Sequence, residues 1–555
     1  MMNSLLMHPG VPLIIASILI LIFKGKANIL SLGAILVSFV LLILFLPANN
    51  LEFIFLDYNF IFFDYSKLSF LFCLVFLLIA LLGKIFSIYR DCYKEKALIL
   101  LYIASSITVI FSGDFITLYI FWEIMAISSS MIIWSSGTKQ ASKAGIRYLQ
   151  VHLFGGVILL MGIIGLYMDT GNLQIRHLDL YSWYNWLILT GFLLNAGAPP
   201  FSHWLPDAYP EGSYSSTIFL SAYTTKTSVF ILIMTFAGEE ILIYFGLYMI
   251  MYGIIYALLE NDIRRILSYS IVNQVGFMIV GIGIGTELAI NGASAHAFSH
   301  IIYKGLLLMS AGSVIYMINK RKCTDVGGLY KTMPITATCG IIGALAISAF
   351  PLTSGFISKS MILDSSINQN LIYVWVLLLI GSAGVFLHAG IKFPWFVFFH
   401  RDKNIITTDP PMYMKLSMIT ASIICIGIGI FPAILYDILP YATNYVPYTG
   451  NHVISQLHLL IFSGLAFFIS LKYLERTLTI TLDFDWVYRD KGRYINKLIV
   501  LMQTLLNNLM LKMSLKNIKG KFLVFENYVM RQATVSVMVT LVLITLTVFL
   551  LLNII

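Results

Sequence analysis

The chain has 555 residues, of which 59% are hydrophobic and 11% charged, with a formal net charge of +9. That charged fraction is roughly half that of an ordinary soluble domain, and apolar runs recur end to end, which excludes a soluble enzyme and indicates a polytopic helical membrane protein. Lys and Arg sit mainly in short loops without a basic aromatic patch, so nucleic acid is not an expected partner, and the scattered Cys73, Cys92, Cys323, Cys339 and Cys425 support neither a metal site nor a disulfide framework.

A membrane span needs ~20 apolar residues. On that measure the chain holds about 15 to 16 of them, at 2–23, 28–47, 67–88, 97–112, 114–135, 147–168, 185–201, 214–237, 240–259, 264–284, 290–317, 333–358, 371–399, 414–437, 455–473 and 532–552. The first lacks the basic leader and small-residue cleavage site of a signal peptide and is expected to be retained. Basic residues collect after odd-numbered spans: Lys24 and Lys26, then Lys84, Arg90, Lys94 and Lys96, then Lys139, Lys143 and Arg147, then Arg264 and Arg265, then Lys320, Arg321, Lys322 and Lys331, then Arg401 and Lys403. The loop after the second span instead carries Glu52, Asp57 and Asp64. The positive-inside rule then puts the odd-to-even loops in the cytoplasm and the N-terminus outside. One inner loop, with Asp207 and Glu211, has no basic residue of its own.

Along the chain, the first group of chemical interest is Glu123, mid-span in Tyr119-Ile120-Phe121-Trp122-Glu123. A carboxylate at that depth takes and releases a proton as neighbouring charges move; a helix-end position is the competing reading. The seventh span breaks at Gly197-Ala198-Pro199-Pro200, because proline interrupts the helix ladder, and irregular backbone in a membrane is tolerated only inside protein or beside a cavity. Lys226 follows in the next apolar run, and an intramembrane cation near a broken helix is a candidate functional site. Gly281-Ile282-Gly283-Ile284-Gly285 reads as close helix packing. His296, His300 and Lys304 stand at i, i+4 and i+8, so one helical stripe carries two imidazoles ending in a lysine, the pattern of a proton relay. The twelfth span breaks at Phe350-Pro351 before Gly355 and Lys359, and the thirteenth repeats the i, i+4 pairing with His388 and Lys392, the latter close enough to Pro394 to snorkel instead. The tail at 493–513 is amphipathic at helical spacing and suits either a membrane-surface brace or a linker helix.

The breaks at Pro199-Pro200 and at Pro351 lie five spans apart, each followed one span later by a lone lysine. An odd repeat unit must be inverted across the membrane, an architecture that recurs in transporters. The expected fold is therefore an all-α polytopic membrane protein of about 14–16 transmembrane helices with two inverted five-helix repeats containing broken helices. The expected divisions are N-terminal helices at 1–96, a first repeat at 97–237, a second at 240–400, core helices at 401–475 and a basic extension with a last span at 476–555. No P-loop, Rossmann glycines, quinone-specific signature or nucleophile elbow is present, so neither catalytic residues nor cofactors are expected in this chain.

Trp122-Glu123, Trp204-Leu205-Pro206-Asp207-Ala208, Thr225-Lys226, Ile263-Arg264-Arg265, His296…His300…Lys304, Gly355-Phe356-Ile357-Ser358-Lys359 and His388-Ala389-Gly390-Ile391-Lys392 occur in order over roughly residues 100–400. Together they resemble the proton-translocating, antiporter-like family, which includes the A-type and D-type subunits of multisubunit sodium/proton (Mrp-type) antiporters and the large membrane subunits of NADH:quinone oxidoreductase (complex I). The forms around Lys226 and Lys392 look most like the D-type antiporter subunits. The resemblance implies a hydrated mid-membrane axis of Glu123, Lys226, His300, Lys304 and Lys392, other membrane subunits as partners, and a cell inner-membrane location. It also implies proton movement, with sodium/proton antiport as the first expectation and a proton-pumping subunit of an NADH:quinone oxidoreductase-like or hydrogenase-like complex as the alternative. One position departs: the family's lysine five residues before the second proline is Asn195 here. Lys226 as substitute partner for Glu123, a differently coupled channel, and an inactive one are the options this leaves.

Overall fold

The computed structural model describes residues 7–44, 51–55, 58–474 and 483. Met1–Thr481 forms one compact unit and Leu482–Ile555 a second; the amphipathic segment at 493–513 and the span at 532–552 lie outside the described residues.

The described chain runs α1 (Val11–Ile22), α2 (Ala27–Leu44), β1 (Leu51–Phe55), β2 (Tyr58–Phe63), α3 (Lys67–Phe86), α4 (Tyr93–Phe111), α5 (Phe115–Trp134), α6 (Lys139–Thr170), α7 (Trp183–Ala196), α8 (Trp204–Ala208), α9 (Ser216–Ala222) and α10 (Thr224–Phe236). It continues with α11 (Ile241–Leu259), α12 (Ile263–Ile284), α13 (Glu287–Ile318), α14 (Pro334–Ile347), α15 (Ser354–Asn368), α16 (Ile372–Val385), α17 (Met412–Ile430), α18 (Ala433–Tyr436), α19 (Gly450–Ile469) and α20 (Leu471–Leu474). Among the described residues, 11 helical segments are long and apolar enough to cross a membrane, and α1 and α14 are shorter apolar helices. This is a helical, multi-pass membrane protein. The antiparallel hairpin β1–β2 is a small departure from an all-α reading, in a loop whose aromatic run Tyr58–Phe63 suits strand pairing.

Helix ends follow sequence. Asp114 caps α5 by accepting from Ile116 and Thr117 N–H at 2.9 and 2.8 Å, and Asp262 caps α12 by accepting from Arg264 and Arg265 N–H at 2.9 and 3.2 Å, each satisfying amides that no preceding turn can reach. Helix α13 runs through the middle, packed by α3, α9, α12, α14, α15 and α17. Helices α12 and α13 are buried nearly all round, as their lack of a polar face predicts. The glycines of α12 work as expected from sequence: a Cβ at Gly283 would stand 2.7 Å from Ile243 N, and one at Gly276 would stand 2.6 Å from Gly246 O, so α11 and α12 meet backbone to backbone.

Both expected breaks are present. Helix α7 stops at Gly197, whose φ of 82° only glycine adopts without strain. Helix α14 gives way to α15 through Ala349 and Leu352, both at positive φ. A Cβ on Gly355 would lie 1.8 Å from Ala346 O, so the two half-helices approach as closely as they do because residue 355 has none. Beyond α16 the helix widens to π geometry at Phe386–Lys392 and Trp395–Phe399. The i, i+4 pair His388 and Lys392 lies within the first of these π turns, where four-residue neighbours still share a face.

Candidate functional site

Glu123 lies in the middle of α5, and its carboxylate packs against Gly156 of α6: an added Cβ there would meet Glu123 Oε1 at 1.8 Å. That oxygen is buried with no hydrogen-bond partner among the described residues, which rules out the helix-end reading. One turn along α6 is His152, whose Nδ1 is 2.7 Å from Asn195 Oδ1 at the end of α7. The imidazole is held between Tyr148 and Trp204, with ring centroids 4.1 and 4.6 Å away. Trp204, at the start of α8, donates to Leu194 O at 3.0 Å, a carbonyl in the last turn of α7 that also accepts from Gly197 N–H at 3.1 Å.

Lys226 is fully buried just after the kink at Tyr223 between α9 and α10. Its ammonium donates to Ser221 O at 2.8 Å and Thr225 Oγ1 at 3.0 Å. The C-terminal end of a half-helix is the negative end of its dipole, a natural seat for a cation. Lys359 repeats the device at the second break, donating to Ile347 O, the end of α14, at 2.9 Å, with the ring of Phe277 beneath it at 4.8 Å. Lys392 does the same at the end of α11, donating to Ala257, Leu258 and Glu260 carbonyls at 2.5, 2.9 and 2.6 Å; it is buried, and the snorkelling alternative does not hold.

The stripe on α13 is different. His296 is fixed, with Nδ1 3.1 Å from Ser358 Oγ and Nε2 3.1 Å from Gln274 Oε1, which Tyr303 also engages at 3.0 Å. His300 and the Lys304 ammonium, both buried, have no hydrogen-bond partner among the described residues. Electrostatic proximity joins these groups into a series: Lys226 with His296, His300 and Lys304, and Lys304 and Lys359 with His388, which Lys392 also influences. His388 itself turns Nδ1 to Gly384 O at 2.7 Å. The structure thus brings together Lys226, His296, His300, Lys304, Lys359, His388 and Lys392. Glu123 stands apart on α5, and burial rather than a neighbouring cation dominates its surroundings.

Loops at one end of the helices meet in a charged layer. Arg147 makes a two-pronged pair with Asp207, Nε to Oδ2 at 2.7 Å and Nη2 to Oδ1 at 2.8 Å, so the acidic loop without a basic residue borrows one from the start of α6. Arg321 holds Glu211 at 2.8 Å and also bonds Asp262, and Arg264 donates to Gly212 O at 2.8 Å. Burial works against the charge on Glu260, but Arg265 at 2.7 Å and the N–H groups of Asp262 and Asn261 hold its carboxyl below its ordinary value. That contribution to stability is complete above the usual carboxylate range and lost as pH falls through the lowered value. Replacing Arg147 by alanine leaves Asp207 buried without its fork. The expected cost is ~2 kcal/mol, read as a lower thermal midpoint of the purified protein together with new protease cleavage between residues 200 and 215.

Four residues of the site carry a local signal in the sequence. Tyr148, His152 and Gly156 stand at i, i+4 and i+8 of α6, the same pattern that singles out the α13 stripe, and Gln274 is a polar residue inside an apolar span. His177, Asp179 and Glu239 bring one oxygen or nitrogen each within 4.8 Å of one another, but His177 and Asp179 are exposed, on a loop remote from the buried axis, and nothing else points to an ion there.

Residues 112–386 match the family model described as NADH:quinone oxidoreductase/Mrp antiporter, TM. The D-type subunit of the sodium/proton antiporter of Alkalihalophilus pseudofirmus is 31% identical over 296 residues, covering 50% of this chain and 60% of the relative, so the chain spans less than two thirds of that protein. Among solved structures, the archaeal membrane-bound sulfane sulfur reductase superposes with a TM-score of 0.75 at 22% identity, over 89% of this chain and 95% of its own. The Mrp complex from Dietzia sp. DQ12-45-1b gives 0.69 at 18% identity, over 82% and 99%; at these identities the likeness is one of fold. Two broken helices, a buried His/Lys stripe between them, and the match at 112–386 converge on one statement: residues 112–386 of this chain are a membrane module of the NADH:quinone oxidoreductase/Mrp antiporter family.

Proposed function

We propose that the chain conducts protons along a mid-membrane axis of Glu123, Lys226, His296, His300, Lys304, His388 and Lys392, as a D-like subunit of a multisubunit sodium/proton antiporter in the cell membrane, N-terminus outside. The observation that carries this reading is the pair His300–Lys304: two buried titratable groups without protein partners among the described residues, flanked by lysines seated on the carbonyl ends of Ile347 and Ser221. Seated lysines hold a charge in place, and an unseated group between them changes protonation when a charge arrives next door. The coupling is electrostatic, at ~1.4 kcal/mol for each pKa unit by which one site shifts the next. Inverted five-helix repeats then give each half of the axis its own entry and exit, as broken helices do in other transporters.

The two settings in which this family occurs are separated by its partners. A mild-detergent pull-down of the full chain, with partners identified by mass spectrometry, is expected to recover small antiporter subunits. Recovery with flavin or iron–sulfur subunits would instead make the chain the proton arm of a redox enzyme and end the antiporter reading.

A further inference from the structure

We propose that His152 is a proton carrier of the axis on its Glu123 side, standing between Glu123 and Lys226 and oriented by Asn195; this rests on the proton-conducting reading above. Asparagine at residue 195 takes no proton, and Lys226 already has its ammonium on Ser221 O and Thr225, so neither serves as the immediate acceptor for Glu123. His152 is 1% exposed and is a buried, titratable group on the helix face that carries Gly156. Asn195 Oδ1 only accepts, so the bond at 2.7 Å places the hydrogen on Nδ1 and leaves Nε2 with its lone pair; Nε2 has no partner among the described residues. Gly156, which seats the Glu123 carboxylate, is one helical turn from His152, ~6 Å along α6, so carboxylate and imidazole lie against the same face of that helix.

On its other side the imidazole packs against the tilted ring of Tyr148, centroids 4.1 Å apart. The Tyr148 hydroxyl lies 3.0 Å from Ser129 Oγ and 3.5 Å from Thr224 Oγ1, which is 2.6 Å from Tyr102 OH. Thr224 is two residues from Lys226 on the same helix. The groups around His152 are thus Glu123 on α5, Asn195 on α7, Trp204 on α8, Tyr148 on its own helix and Tyr209 near Tyr148 at 6.3 Å; Glu123 is the acid among them. In the step itself the O–H bond of the Glu123 carboxyl breaks and an N–H bond forms at Nε2, giving carboxylate and imidazolium. The imidazolium keeps its Nδ1–H on Asn195; when its Nε2–H bond breaks, the imidazole returns to neutral and a water molecule takes the proton.

The test uses the full chain in its native complex in everted membrane vesicles, with proton-coupled transport followed by a ΔpH-sensitive dye and complex yield measured alongside. H152A is expected to lower the initial rate at least ~10-fold, the low end of what a positioned acid–base group supplies, at unchanged yield. H152Q is expected to be equally slow, because glutamine donates to Asn195 but carries no proton. H152A/N195K is expected to recover at least a third of the rate, with its pH profile moved to higher pH, because lysine ordinarily titrates ~4 units above histidine. H152Q working at the wild-type rate would make His152 a brace and overturn the proposal, as would no recovery in H152A/N195K. The control E123Q separates the two readings: a normal rate there ends the axis itself and His152's role with it, whereas a dead E123Q beside a normal H152Q ends the role of His152 alone.

Discussion

Lys304→Ala is expected to abolish proton-coupled transport while the protein still assembles. Lys304 is 1% exposed in the middle of α13 and bonds no described residue, whereas Lys226, Lys359 and Lys392 each sit on one or more carbonyls at a helix end. Removing one of those three strips a buried carbonyl end of its donor, so fold and transport suffer together. Removing Lys304 strands no acceptor. It takes away a cation whose burial is costly, so the yield of folded protein is expected to hold or rise, while the series from Lys226 and His300 to His388 loses its middle link. Transport is expected to fall at least ~100-fold, within the range attributed to a positioned proton-transfer group. Vesicle transport assays beside size-exclusion profiles read both quantities, and an unimpaired rate would remove Lys304 from the path.

Gly156→Ala is the second large effect, and it separates chemistry from packing. The added methyl meets Glu123 Oε1 at 1.8 Å, the far end of a flexible side chain, which swings aside at little energetic cost. The protein is therefore expected to fold with near wild-type yield and to lose transport by at least ~10-fold, because the carboxylate leaves the seat next to His152 and proton transfer depends on hydrogen-bond reach. Gly276→Ala is the contrasting variant. There the methyl meets Gly246 O at 2.6 Å, backbone that cannot swing away, so α11 and α12 must separate and the yield itself collapses. Measured together, transport per molecule and molecules per cell should move in opposite order in the two variants. A fully active Gly156→Ala would mean that the position of the Glu123 carboxylate is unimportant.

Much of the architecture is readable in one dimension because a bilayer imposes one-dimensional rules. Apolar length gives spans, and basic residues cluster after every second one; the loops so grouped do meet, through Arg147–Asp207 and Arg321–Glu211. Prolines at 199, 200 and 351 mark the two breaks, and i, i+4, i+8 spacing finds the α13 stripe, since all three are consequences of local backbone geometry. The same spacing on α6 identifies Tyr148, His152 and Gly156, but the glycine of that trio carries no chemistry until another helix is laid beside it. The π turns that follow α16 left no such local mark.

Local rules of this kind specify the membrane class, the order of spans, the two interruptions and the inventory of groups able to hold a proton. Which of those groups are seated and which are free follows only from the fold in three dimensions. A lysine's partner is here a carbonyl 5 to 135 residues away, and whether that carbonyl is available depends on where another helix ends. The Glu123 carboxylate comes to lie one helical turn from His152 because Gly156 leaves it room against α6, and Asn195 becomes an orienting group because α7 ends against α6. Partners across helices follow from packing, and packing is a property of surfaces that no single segment contains.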